Sequence, residues 1–374
     1  MAVYLDNAAT TCPCGEAVCA FENSITTYGN PSSLHSFGLN AQLLVDTARK
    51  QLGSALGVPY EQVFFTSGAT ESNNLALRGV FEAVKRSKNK IVTSSVEHPS
   101  VANTCKELER QGATVVRISP KGNKLNADDF ISAVDDKTAI VTMMYANNEN
   151  GALLPVKEVF TAVKRKYPDV VTHCDLVQAF CKLPFNAKRF NADLVTVSGH
   201  KIHAFKGVGA LYINKATRVL PIVFGGGQEN GYRSGTEAVG LISAFGAAVE
   251  ANMKDIAENY KKALEIHDYA VKCLSDIDSV SLNIPQDKSP YVLNFSVVGI
   301  RSEIMLHFLE SRDIYVSSGS ACSKGAKSGV LSEFGVNDKN TDSAIRISFS
   351  KYTKLSEIDD LIIAIKDGIN TIYR

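Results

Sequence analysis

Lys201 ends the run Ser198-Gly199-His200-Lys201, set between the apolar stretch Leu194-Val195-Thr196-Val197 and the glycine-bearing run Lys206-Gly207-Val208-Gly209-Ala210-Leu211-Tyr212-Ile213. A lysine at the tip of a strand, in a turn of small residues, can point its amine into a cleft and condense with an aldehyde such as that of pyridoxal phosphate. Alone the tetrapeptide is weak, because most turn lysines are solvated charges. Asp175 adds weight. It follows the buried-strand pattern Val170-Val171-Thr172-His173-Cys174, with Gln178 one turn later. A buried strand-end aspartate can pair with a protonated pyridine nitrogen and keep such a ring an electron sink.

Three more clusters fall at expected strand ends. After Val63-Phe64-Phe65-Thr66, the run Ser67-Gly68-Ala69-Thr70-Glu71-Ser72 opens a helix. Glycine lets the backbone approach an anion, Thr70 adds a hydroxyl, and the helix start supplies free N–H groups; a plain helix cap would look similar. His98 sits at a strand-to-helix corner, where an imidazole can stack on a ring or move protons, although a lone histidine is more often structural. Asn147 and Asn148 follow the strand pattern Ala139 to Tyr145, and their amides can donate to a phenolic or carboxylate oxygen. In alternating α/β chains the ligand crevice lies at the carboxyl ends of the strands, so the convergence of these five clusters favours one site.

Other candidates lie outside that pattern. Cys322 stands in Ser317-Ser318-Gly319-Ser320-Ala321-Cys322-Ser323-Lys324-Gly325-Ala326-Lys327-Ser328-Gly329. That loop has little apolar bulk to bury a thiol and two ammonium groups to lower its pKa, which favours a mobile nucleophile over a spare core cysteine. Arg346 is a charge inside a β-type run and calls for a carboxylate, from a ligand or from a structural salt bridge. Gly225 to Thr236 is glycine-rich and carries Arg233, suited to gripping an anion or to plain flexibility. In Gly29-Asn30-Pro31-Ser32-Ser33, Pro31 holds Asn30 out of the helical region and the serines can cap the next helix, so the loop is either a ligand face or a connecting turn.

The elements that must position these residues follow from periodicity. Strands alternate with helices over residues 60–215, which implies a mainly parallel sheet covered on both faces. A long helical stretch over about 237–275 leaves it. The remainder reads strand, helix, strand, strand, helix: a small α+β unit whose last helix repeats Ile358, Leu361, Ile362, Ile365 and Ile369 on a core face. The expected division is a large domain over 16–255 and a small C-terminal domain over 256–374, joined by the N-terminal arm 1–15. The fold class is therefore α/β with a small α+β domain.

Composition narrows the partners. Forty basic against thirty-nine acidic residues give a net charge of +1, so no global field favours nucleic acid or an anionic membrane. No window approaches the length of a membrane span, and Asp6 comes too early for a secretory core; the expected location is cytoplasmic. Eight scattered cysteines suit reduced thiols, and Cys12, Cys14 and Cys19 lack a second pair to complete a tetrahedral metal set.

In order along nearly the whole chain, Tyr4 to Thr11, Gly29 to Ser33, Thr66 to Ser72, Glu97-His98, Asn147-Asn148-Glu149, Asp175, Gln178, Ser198 to Lys201, Arg233 to Thr236, Ser317 to Cys322 and Arg346 resemble the motifs of cysteine desulfurases of the NifS/IscS type. These belong to the class-V aminotransferases, fold-type I pyridoxal-phosphate enzymes with a seven-stranded type of large sheet. The resemblance implies a homodimer in which Lys201 holds the cofactor aldehyde and His98 stacks on its ring. Asp175 would pair with the pyridine nitrogen, and Asn148 and Gln178 would contact the phenolic oxygen. Ala69, Thr70, Ser198 and His200 would hold the phosphate, with Thr236 reaching the partner subunit's cofactor. Asn30 and Arg346 would bind the substrate carboxylate.

It further implies that L-cysteine is the substrate, that Cys322 takes its sulfur as a persulfide, and that the acceptor is an iron-sulfur scaffold or a tRNA-thiolation sulfurtransferase. The chain stops at Arg374, short of the longer tail of scaffold-binding members, which makes the dedicated thiolation partner plausible. Ala204-Phe205, Cys174, Cys181, Lys324 and Lys327 depart from the usual pattern. Two alternatives differ in chemistry: a selenocysteine lyase or other aminotransferase of the same fold, which needs no thiol attack, and a non-catalytic sulfur-transfer scaffold, against which the intact Lys201, Asp175, His98 and Cys322 argue.

Overall fold

A computed structural model describes residues 2–318 and 328–372. In chain order its strands are β1 (Val3–Tyr4), β2 (Val63–Thr66), β3 (Lys90–Ser94), β4 (Thr114–Ile118), β5 (Thr138–Met144), β6 (Val171–Asp175), β7 (Leu194–Ser198), β8 (Gly209–Ile213), β9 (Val280–Leu282), β10 (Val292–Val297), β11 (Ile314–Tyr315), β12 (Ser317–Ser318) and β13 (Ala344–Ser348). The large sheet has seven strands in the order β2-β8-β7-β6-β5-β3-β4. Adjacent residues of its strands serve opposite faces, as a pleat requires. Phe64, Ile91, Ile140, Leu194 and Leu211 pack against one helical layer, while Phe65, Val92, Val141, Val195 and Ala210 join the core on the other.

The sheet is parallel except at β8, which runs antiparallel to both β7 and β2. An antiparallel neighbour needs no helical crossover, so β7 and β8 are joined by the short segment that carries Lys201. This pairing sets Gly209 opposite both Ser198 and Thr66. A Cβ on Gly209 would lie 2.7 Å from the Gly68 Cα. Two glycines packed back to back thus let the turn after β2 settle over the end of β8.

The second sheet, β12-β13-β10-β9, is antiparallel. Its core takes in Ile266, Phe295, Met305, Ile345, Ile358 and Ile365 together with Val3 and Leu5 of the N-terminal arm. β1 pairs in parallel with β11, and Asn7 Nδ2 donates to Ser348 O at 2.9 Å, so the arm is sewn to this sheet before it turns toward the large one. None of the helices among the described residues is long and apolar enough to cross a membrane.

Two local expectations differ from the structure, and two short elements have no counterpart among the expectations. His35, not Ser32 or Ser33, caps the helix Ser36–Leu56, its side chain accepting from Gly38 N. The stretch 237–275 is two helices, Val239–Lys254 and Ile256–Ser275, interrupted at Asp255 with φ −118°. The helix Ala127–Ala133 and strand β9 have too few residues to show a period.

The loop before Thr236 is pinned by a bidentate ion pair, Arg49 to Glu229 at 2.7 Å, with Glu229 Oε2 also accepting from Phe65 N. Glu229 holds a positive φ of 50°, a conformation that these bonds must maintain. Removing one partner strands a buried charge. The substitution Arg49→Met is expected to destabilise the fold by about 3–5 kcal/mol, read as a shift in urea midpoint, whereas Lys85→Met, which breaks an exposed pair with Glu82, should shift it by less than about 1 kcal/mol.

Candidate active site

A cavity of about 670 Å³ opens at the carboxyl ends of β2, β3, β5, β6 and β7. Its wall includes Ala69, Thr70, His98, Asn148, Asp175, Gln178, Ser198, His200, Lys201 and Arg346, and the arm residues Ala8, Ala9 and Thr10 close one side. Ten of the thirteen residues singled out from sequence are therefore brought together. Asn30 and Thr236 are exposed and lie outside this cavity, Asn30 Oδ1 accepting from Ser32 N at 3.0 Å within its own turn. Cys322 lies outside the described residues.

Lys201 ends the short 3-10 helix Gly199–Lys201, and its Nζ donates to Ala8 O and Ala9 O, both at 2.6 Å. The arm thus holds the amine on the cavity wall. Thr11 ties the two segments further, its backbone N–H and its hydroxyl both donating to His200 O. His200 Nδ1 lies 3.2 Å from Thr10 Oγ1. Burial, reinforced by Lys201, Lys206 and Lys182, lowers the His200 pKa to about 4, so its ring is neutral at pH 7.

Asp175 is buried at the end of β6, with Oδ1 accepting from Val177 N at 3.1 Å and Oδ2 from Asn73 Nδ2 at 2.8 Å. His98 caps the helix Pro99–Arg110, accepting from Ser100 N through Nδ1. Burial pushes its pKa down, the Asp175 carboxylate opposes that shift and the Lys201 ammonium adds to it. Asn148 lines the cavity, but Asn147 does not: its Nδ2 donates to Val96 O at 3.0 Å and its Oδ1 accepts from Glu149 N at 2.8 Å, holding the turn that presents its neighbour.

The residues present fit pyridoxal phosphate. The helix Ala69–Val84 begins at Gly68 with no side-chain cap, so its first N–H groups and dipole are available to a phosphate. Gly68 has φ 154° and ψ 177°, a region essentially reserved for glycine, and a Cβ there would meet no atom within 4 Å. Gln178 donates to Ala8 O at 2.9 Å while its Oε1 is buried without a partner among the described residues. An amine, a carboxylate and an uncapped helix start on one cavity match an aldehyde, a ring nitrogen and a phosphate.

For Arg346 the structure shows the salt-bridge reading of its charge. Its guanidinium pairs with Asp6 at 2.7 Å and donates to Asn148 O at 2.9 Å, yet Nε has no partner among the described residues. β12 brings Ser317 opposite Arg346, and Ser328 Oγ donates to Glu149 Oε2, so the described residues on both sides of 319–327 lie next to the site.

Three contributors had no assigned role from sequence. Glu71 lines the cavity, accepting from Ser67 N and from Arg233 Nε at 2.9 Å, and so joins the start of the helix to the loop of Thr236. Asn73 bonds Asp175 from behind. Glu97 is buried, accepting from Met144 N and from Ser94 Oγ, and burial drives its pKa up to about 8. First-turn position is a cap signal for Glu71 alone; the other two are functions of tertiary packing.

Because the Glu97 acid keeps its proton to about pH 8 when folded but loses it near 4.5 when unfolded, the folded state binds the extra proton in between. Stability should therefore fall as pH rises from about 5 to about 8, and Glu97→Gln, which has no proton to lose, should flatten that slope in denaturant midpoints.

The chain belongs to the class-V aminotransferases, whose family model matches residues 3–361. It is thus one of the pyridoxal-phosphate enzymes of the fold that the seven-stranded sheet defines. A protein of Trichormus azollae named cysteine desulfurase is 40% identical over 367 residues, covering 96% of this chain and 91% of that one. The solved structure of a NifS-like protein superposes with a TM-score of 0.94 at 33% identity, over 99% of this chain and 100% of that one. A structure described as SspA in complex with cysteine matches with a TM-score of 0.82 at 29% identity, over 94% of this chain and 99% of that one.

Proposed function

We propose that this protein is a cysteine desulfurase that removes sulfur from L-cysteine. The observation that carries the reading is the single cavity shared by Lys201, Asp175, His98 and the uncapped helix start, with Arg346 on its wall. Relatives bearing that activity in their names match nearly the full chain, and one matched structure is described as holding cysteine. Pyridoxal phosphate, when bound, supplies an electron sink for bonds broken at the substrate's α- and β-carbons. The Lys201 amine would hold the cofactor aldehyde and is placed to move a proton at the substrate's α-carbon. Asp175 would pair with the ring nitrogen and His98 would hold the ring. Asn148 and the second N–H of Gln178 would hold the phenolic oxygen. Ala69, Thr70, Ser198 and His200 would hold the phosphate, and Arg346 with Asn30 would receive the substrate carboxylate.

In this reading the Cys322 thiolate attacks the substrate sulfur. An S–S bond forms as the C–S bond breaks, the carbon skeleton takes up protons and leaves as L-alanine, and Cys322 retains a persulfide for an acceptor. The acceptor would be an iron-sulfur scaffold or a tRNA-thiolation sulfurtransferase in the cytoplasm.

A homodimer is part of the proposal. Leu34 is 93% exposed, Phe224 82% and Tyr28 78%, and Ile25, Leu39 and Leu43 add to this apolar surface, more than a solitary subunit would leave in water. The exposure of Asn30 and Thr236 away from their own cavity supports their reaching a partner's. The large domain is taken as 16–255 and the small one as 256–374 with the arm 1–15, a division supported by Val3 and Leu5 packing with the C-terminal core.

The test is release of alanine and sulfide from L-cysteine with excess reductant by the parent and by Cys322→Ser. The substituted protein is expected to lose at least about 100-fold in sulfide release. Sulfide release at the parental rate would replace this reading by a lyase or a transaminase.

A further inference from the structure

Arg346, in the middle of β13, is buried and paired with Asn294 of β10 on one side and Ser317 of β12 on the other. A guanidinium carries five N–H groups. Asn148 O accepts one of them at 2.9 Å and Asp6 Oδ1 another at 2.7 Å. Arg346 lies on the cavity wall and Asp6 does not, so this carboxylate grips the guanidinium from outside the space a ligand would enter.

Asp6 acts on Arg346 in two separable ways. The first is orientation, which other bonds also secure: β13 is paired on both sides of Arg346, and Asn148 O holds a second nitrogen of the group. Asp6 adds one bond where a bidentate pair would clamp. The second is charge. Glu149 is the other carboxyl group near enough to interact with Arg346, and burial raises its pKa, favouring the neutral acid. Asp6 is thus the contacting counter-ion among the described residues. Backbone bonds bracket it, from Ser348 N to Leu5 O at 2.7 Å, from Asn7 Nδ2 to Ser348 O at 2.9 Å and from Ala8 N to Ser348 Oγ at 2.8 Å. Its charge therefore stays beside Arg346 when a ligand arrives, and a second carboxylate on the same guanidinium meets it at close range, where burial weakens screening.

We infer that Asp6 sets the strength of the carboxylate subsite, its charge opposing the ligand carboxylate that Arg346 receives. The inference rests on the proposed role of Arg346. L-Cysteine and L-alanine present the same carboxylate, so a tighter grip on that group would slow product release without speeding the chemistry. Asp6 keeps the grip weak while the rest of the strand keeps Arg346 in place.

The test is calorimetric titration of the full-length protein, loaded with pyridoxal phosphate, with L-alanine and with L-alaninamide, which lacks the carboxylate. Asp6→Asn should bind L-alanine at least about fivefold more tightly than the parent and L-alaninamide no more tightly, whereas Asp6→Glu, which keeps the charge, should stay within about twofold of the parent for L-alanine. A merely structural role predicts the opposite, a weaker site. Parental or weaker L-alanine binding in Asp6→Asn, or equal tightening for the amide, would overturn the inference; if that protein does not fold, Asp6→Ser is judged by the same outcomes. Arg346→Gln separates the two readings. L-Alanine binding lost there but not tightened in Asp6→Asn sinks this inference alone, while parental binding in Arg346→Gln removes the carboxylate subsite and the inference together.

Discussion

Lys201→Ala is expected to lose at least about 10⁴-fold in alanine release from L-cysteine, because in the proposed function one side chain both anchors the cofactor and moves the α-proton. The same change should abolish covalent retention of the cofactor after borohydride reduction, while the parent keeps it through denaturation. Position matters as well as chemistry. The amine is held by Ala8 O and Ala9 O, so an arm tied to the small sheet through Asn7 and Ser348 controls where that amine stands over the large one. Lys201→Arg should therefore rescue nothing, since a guanidinium stays protonated and cannot form the bond. Turnover within tenfold of the parent in Lys201→Ala, with the fold intact by unfolding midpoint, would remove Lys201 from the chemistry.

Asp175→Asn carries the second large effect, about 10²–10³-fold in kcat, because an amide cannot hold a proton on the ring nitrogen by charge. The KM for L-cysteine should change little, since Asp175 is not assigned to the substrate carboxylate. The electrostatic consequences have a definite sign. The Asp175 charge raises the pKa of both His98 and Glu97, so its neutralisation should lower both. Proton titration of His98 by NMR would read the first of these directly. An unchanged kcat would show that the carboxylate is only a structural acceptor for Val177 N and Asn73 Nδ2.

The small effects expected elsewhere mark where the site is robust. Burial raises the pKa of the Cys105 thiol to about 12, and those of Cys174 and Cys181 also rise, so these thiols are poor nucleophiles. Those three thiols are thereby set aside as sulfur acceptors, and the proposal for Cys322 rests on its run of small residues in the sequence.

Much of this protein was legible in one dimension. The strand and helix periods from Val63 to Ile213 report burial on both faces, and chemistry-bearing residues collect where each strand ends; both are local properties of the chain. Gly68, Asp175 and Lys201 could be read for that reason. The antiparallel direction of β8 could not, because pairing is decided between segments far apart, and it alone puts Gly209 against both Gly68 and Ser198. Nor could Asn73, whose partners Ser100 and Asp175 lie 27 and 102 residues away. The sequence by itself determined which groups could do the chemistry and the element that ends beside each. Tertiary structure decided which carbonyls hold the amine, which amide orients the carboxylate, and that Asn30 and Thr236 face outward, since hydrogen bonds form between atoms near in space and the chain's order does not encode that distance.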